Sequence, residues 1–134
     1  MTNIGILGSG SIGSEIATAV CNGEIEEATL VGIYDQSLDA VDTLAQQLPA
    51  AVPCFTDFEK FLDSPGMKMV VECASPAAVK EHAEEVIDRG KDFLMASSGA
   101  LTDTDFFLRL AKLAQARGCR LIVPSGALGG IDAI

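Results

Sequence analysis

Six short apolar runs, Ile4–Leu7, Thr29–Tyr34, Val52–Phe55, Met69–Cys73, Phe93–Ala96 and Leu121–Val123, alternate with stretches of helical periodicity. This alternation constrains the fold more than any other feature, because a strand, a helix and a second strand in succession form the unit of a parallel sheet. Folds built of strands alone or helices alone drop out. The first run reads Ile-Gly-Ile-Leu without polar alternation, as expected where helices cover both faces of a sheet. The predicted class is therefore α/β, with a doubly wound, mainly parallel sheet and helices on both faces.

The helices carry boundary signals. Ser75-Pro76 offers an N-cap and a proline at the first helical position, for a helix running to Arg89 before Gly90. Thr102, with Asp105 three residues later, resembles a capping box, and that helix closes at Arg117-Gly118. In both cases the arginine complements the helix dipole and the glycine can take the left-handed conformation. A structural role for Arg89 and Arg117 is sufficient. A weaker helix is expected over Ser37 to about Gln47, stopped by Pro49, and a short one over Asp57–Leu62.

Gly8-Ser9-Gly10-Ser11-Ile12-Gly13 fits the pattern GxGxxG. Thirteen glycines in 134 residues produce chance spacings, so the context decides: the hexad follows the first strand and opens the amphipathic stretch Ser11–Val20. Gly8 would permit the tight turn, Gly10 would let the backbone approach a pyrophosphate, and Gly13 would let the helix pack close to the strand. Amide N–H groups at the helix start would then face phosphates. Asp35 ends the second strand, 22 residues beyond Gly13, where a carboxylate can accept hydrogen bonds from ribose hydroxyls. It would repel a 2′-phosphate, and Gln36-Ser37 supplies no arginine to neutralise one. These features predict a Rossmann-type dinucleotide-binding domain over residues 1–123, favouring NAD with NADP possible.

Nineteen acidic against nine basic residues give a formal net charge of -10, which argues against a nucleic-acid or anionic-membrane surface. A dinucleotide would have to be held by local backbone dipoles. No apolar stretch approaches 18 residues and the N-terminus lacks the marks of a signal peptide, so a soluble, cytoplasmic protein is expected. Cys21, Cys54, Cys73 and Cys119 form no CxxC pair, which leaves no zinc spacing or disulfide framework and reads as buried small hydrophobes.

Ligands in an open parallel sheet sit beyond the carboxyl ends of the strands. Small or hydroxylated residues stand there: Ala74-Ser75-Pro76, Ser97-Ser98-Gly99-Ala100 and Ser125-Gly126-Ala127. They suit cofactor contact as well as ordinary helix capping, and for Ser75 the roles are compatible. Glu72 falls inside an apolar strand, where a buried carboxylate is costly unless paired. It would accept backbone N–H groups, pair with a basic residue or take part in catalysis. The sole histidine, His82, is expected at a solvated or edge position of its helix rather than in catalysis.

The glycine loop, the segment Val70-Val71-Glu72-Cys73-Ala74-Ser75-Pro76 with Ala78-Val79-Lys80-Glu81, and Pro124-Ser125-Gly126-Ala127-Leu128-Gly129-Gly130-Ile131-Asp132 together resemble the cofactor domain of the L-aspartate dehydrogenase family. The resemblance covers essentially the whole chain; the loop is generic, the other two segments more specific. It implies an NAD(P)-dependent oxidoreductase that interconverts L-aspartate and iminoaspartate, which yields oxaloacetate and ammonia or feeds NAD biosynthesis. It implies cofactor contacts at Ser11, Ile12, Asp35, Ala74, Ser75, Ala96, Ser97 and Ala127. The family's catalytic histidine and most substrate contacts lie in a second domain, so no catalytic residue and no metal site are expected in this chain, and His82 does not inherit that role.

Ile131-Asp132-Ala133-Ile134 begins an apolar helix and stops, so residues 124–134 read as a hinge and the start of a truncated second domain. Such a fragment would be inactive alone, its full-length form a homo-oligomer acting on a small amino acid. Alternatives are a homoserine dehydrogenase or dihydrodipicolinate reductase-like domain, or a non-enzymatic NAD sensor.

Overall fold

A computed structural model describes residues 2–97 and 103–123. Among the described residues six strands and five helices alternate: β1 (Thr2–Leu7), α1 (Ser11–Cys21), β2 (Ala28–Tyr34), α2 (Leu38–Gln47), β3 (Cys54–Phe55), α3 (Phe58–Leu62), β4 (Met69–Glu72), α4 (Pro76–Asp88), β5 (Asp92–Met95), α5 (Thr104–Arg117) and β6 (Leu121–Ile122). The strand order is β3-β2-β1-β4-β5-β6, that of a dinucleotide-binding α/β sheet. The residues group into two compact units, Met1–Met69 and Val70–Ile134.

In the first unit, β1 runs parallel to β2 and β2 parallel to β3. The β1–β2 register shifts between Ile4 and Gly5. Glycines in both strands open space on the sheet: a Cβ on Gly5 would lie 2.7 Å from the Phe61 ring, and one on Gly32 3.3 Å from Phe55. The Met67 side chain and aromatic rings fill that space. Tyr34 meets Phe58 edge-on at 5.1 Å, while Phe61 sits 5.8 Å from Tyr34 and 6.1 Å from Phe55. Such pairs add about 1 kcal/mol each beyond the area they bury. Helix α1 presents Gly13, Ala17 and Val20 to the core, a spacing of four and three residues that keeps one face inward.

In the second unit β5 and β6 are parallel, with Phe93 opposite Leu121. Val79, Ala83, Val86 and Ile87 of α4 and Phe106, Leu110 and Ala114 of α5 are buried at helical spacing. Across the exposed side of this helix pair run the ion pairs Lys80–Asp103 (2.9 Å), Arg109–Glu84 (2.8 Å) and Arg117–Asp88 (2.6 Å). Exposed pairs contribute up to about 1 kcal/mol each, so the apolar seam dominates.

Strands β4, β5 and β6 end one residue short of the predicted bounds, β3 begins two residues late, and β1, β2 and β5 begin one or two residues early. Cys73 lies outside β4 because the chain turns where the Glu72 side chain accepts the Ala74 N–H at 2.9 Å. The cap of α5 is Asp103, which accepts the Phe106 N–H at 3.1 Å, and not the expected Thr102, which lies outside the described residues. Gly118 closes that helix at φ 71°, as its sequence position suggested.

Candidate functional site

The chain leaves β1 through Gly8, whose φ of 110° a residue with a Cβ adopts only with strain, and the Gly8 N–H donates to Tyr34 O at 2.8 Å. Ser9 is buried, and Gly10 then sits at the N-cap of α1 in extended conformation. Four helices start on a side-chain cap: Ser37 takes the Ala40 N–H, Asp57 that of Lys60, Ser75 that of Ala78 and Asp103 that of Phe106. Helix α1 has no such bond and no acid in its first turn. Its leading N–H groups are therefore available to an anion, and the helix dipole favours negative charge there. A Cβ on Gly10 would meet nothing within 4 Å, so the loop leaves room above the backbone. Ser11 and Ile12 are exposed, Ile12 at 56%, while Gly13 is buried.

Asp35 stands just past β2. Its Oδ2 accepts the Ser9 N–H at 3.0 Å and the Ser9 hydroxyl at 2.7 Å, and its Oδ1 accepts the Ser37 N–H at 2.9 Å. Burial pushes the carboxyl up, but hydrogen bonds from Ser37, Ser9 and the Gln36 backbone outweigh it and hold Asp35 below the ordinary aspartate value. The group is thus an anion at neutral pH and braces the glycine loop. A groove of about 620 Å³ opens beside it, lined by Ser9, Gly10, Ser11 and Ser14 on one side and by Asp39, Thr43 and Gln47 of α2 on another. Ser9 was not singled out in the sequence, because its role depends on a partner 26 residues away.

The second unit brings Ala74, Ala96 and Ser97 together on one buried acid, with Ser75 next along the chain. Glu72 is fully buried, and among its three sequence-level possibilities the first is found: Oε2 accepts the Ala74 N–H, and Oε1 the Ser97 N–H at 2.8 Å. The Ser97 hydroxyl adds a bond to Oε2 at 2.6 Å, and Glu72 O accepts the Ala96 N–H at 3.0 Å. Ser75 is the N-cap of α4. Ala127, Ser98–Ala100 and Ser125-Gly126 lie outside the described residues, as do the expected hinge residues 124–134.

Two expectations are corrected. Of the solvated or edge positions expected for His82, the solvated one is excluded: α4 turns the residue inward with Val79 and Ala83, leaving its Nε2 3.5 Å from the exposed Glu81 carboxylate, and burial lowers its pKa against the opposing pull of Glu81 and Glu85. The four cysteines are half-buried and unbridged rather than fully enclosed. Cys73 is pushed up to about 12, by burial first and by the adjacent Glu72 charge second, so it is a thiol and no nucleophile at neutral pH. Among the described residues no three His, Cys, Asp or Glu side chains converge as metal ligands, and no helix is long and apolar enough to cross a membrane.

A family profile described as "Homoserine dehydrogenase, NAD binding domain" matches residues 8–124. L-aspartate dehydrogenases from Methanocaldococcus jannaschii and Methanococcus maripaludis are 40% and 38% identical over all of this chain, which covers 49% of each relative. The chain thus spans about half the length of the curated relatives it matches. Among solved structures, the WlbA dehydrogenase from Bordetella pertussis, in complex with NADH and UDP-GlcNAcA, aligns with 92% of this chain and 36% of its own (TM-score 0.79, 21% identity). Aspartate dehydrogenase from Thermotoga maritima aligns with 93% of this chain and 46% of its own (TM-score 0.66, 24% identity). Those two likenesses show the dinucleotide-binding fold that the glycine loop and strand order require. Because the profile spans residues 8–124, from the glycine loop through β6, the chain belongs to the NAD-binding domain family of homoserine dehydrogenase type.

Proposed function

We propose that this chain is the cofactor domain of an NAD-dependent L-aspartate dehydrogenase of the cytoplasm, and that its full-length form acts as a homo-oligomer on a small amino acid. The observation that carries the reading is the identity of 38–40% with L-aspartate dehydrogenases along the whole chain. Residues 1–123 form the binding domain, and residues 124–134 the hinge into a second domain that holds the catalytic side chains.

Gly8, Gly10, Ser11, Ile12 and Gly13 hold the pyrophosphate, through free first-turn amides and the room above Gly10. Asp35 receives the adenosine ribose hydroxyls. Its depressed pKa keeps it anionic, which disfavours a 2′-phosphate and so NADP. Ala74, Ser75, Ala96, Ser97 and Ala127 face the nicotinamide half. NAD, when bound, supplies the hydride acceptor, and this chain contributes binding and orientation.

Calorimetric titration with NAD and NADP tests the cofactor assignment: NAD binds more tightly, and Asp35→Ala narrows the preference. Failure of both cofactors to bind overturns it. The name of the matching profile favours homoserine as the second substrate candidate. Assays of the intact protein with NAD and aspartate against NAD and homoserine separate the two; turnover of homoserine alone would reject the aspartate reading.

A further inference from the structure

Glu72 gathers four hydrogen bonds from two loops: Ala74 N–H after β4, and Ala96 N–H, Ser97 N–H and the Ser97 hydroxyl after β5. Its side chain is wholly buried in an otherwise apolar strand. Burying a carboxylate is costly unless its oxygens are met, so its presence answers a need of the flanking loops and not of the strand. What only a carboxylate of this length offers is two acceptor oxygens for three side-chain-directed donors. Glutamine has one oxygen, and its amide nitrogen would face a backbone N–H in either orientation.

Resting on the cofactor reading above, we propose that Glu72 is a positioning residue that ties the loops after β4 and β5 into the shape that receives the nicotinamide end of NAD, and that it presents Ser97 there as a hydrogen-bond acceptor. The Ser97 proton is committed to Glu72 Oε2, so toward a ligand the hydroxyl has only lone pairs to offer. A carboxamide N–H is the donor that matches them. Ala74 and Ser97 cannot shift independently, because each backbone N–H would leave a buried oxygen without its partner.

The test compares NAD with ADP-ribose, which has the same adenosine and diphosphate but no nicotinamide. Both are titrated calorimetrically into the intact protein, wild type and the variants Glu72→Gln and Ser97→Ala, with thermal melts to confirm folding. Glu72→Gln is expected to weaken NAD about tenfold and Ser97→Ala to weaken it less, while ADP-ribose changes by under about twofold in both. A change confined to the nicotinamide-bearing ligand is what a merely structural role would not produce. Should Glu72→Gln fail to fold, Ser97→Ala decides alone. The proposal is overturned if the folded variants bind both ligands as wild type does, or lose both equally. Wild type binding neither ligand would instead reject the cofactor reading itself, and this proposal with it.

Discussion

The two units use the same device for different ends. In each, a carboxylate at a strand end takes both the N–H and the hydroxyl of a serine: Asp35 holds Ser9 at 3.0 and 2.7 Å, and Glu72 holds Ser97 at 2.8 and 2.6 Å. The bonds are alike and the surroundings are not. Asp35 is half-buried, and its partner Ser9 lines a groove at an uncapped helix start, so groups from outside can compete for its bonds. Glu72 is fully enclosed and the helix that follows it is capped by Ser75, so its bonds have no competitor from outside. Exposure, and not hydrogen-bond geometry, separates an acid that can exchange partners from one that fixes loops.

The comparison is broken first by stability. Glu72→Leu strips acceptors from two backbone N–H groups and is expected to lower folding stability by about 3 kcal/mol, read by urea unfolding. An equal loss on Asp35→Ala would erase the distinction between the two acids. Next comes Gly10→Asp, which turns the open helix start of the first unit into a capped one. It should weaken NAD roughly a hundredfold by placing an anion where phosphate would sit, while leaving the melting temperature unchanged or slightly higher. A drop in melting temperature would mean that the loop is strained at Gly10.

Asp35→Ala is expected to weaken NAD about tenfold and to lower folding stability by only about 1 kcal/mol, since the bonds it breaks are exposed at the Ser37 N–H and only part-buried at Ser9. The smallest effect is with pH. A carboxyl held below its ordinary value of 3.8 contributes stability that is fully present above that value and lost as pH falls through the native pKa. The difference in melting temperature between wild type and Asp35→Asn should therefore be constant at neutral pH and shrink only in acid below 3.8. A difference that shrinks already near neutral pH would place the titrating group elsewhere.

Much of this was legible beforehand for local reasons. Strand and helix alternation follows from apolar periodicity, and Gly8, Ser37, Asp57, Ser75 and Gly118 act within one turn of their own position. Asp35 was legible because the glycine loop sets its spacing. The choice of Asp103 over Thr102 as a cap was not, since both are good N-caps and the Lys80 ammonium, 2.9 Å from Asp103, comes from another helix. Nor was the burial of His82, whose position on α4 becomes inward only once α4 packs through Val79 and Ala83.

From its own residues the chain determined the α/β pattern, the uncapped helix start after Gly8-Ser9-Gly10 and the acid that follows the second strand. These rest on backbone preferences and apolar spacing, which act over a few residues. Tertiary structure alone decided which serine each carboxylate would hold. Ser9 and Asp35 are 26 residues apart and Glu72 and Ser97 are 25 apart, and only the packing of the chain into its two units brings each pair within hydrogen-bond range. The same packing leaves one carboxylate within reach of solvent and closes the other away from it.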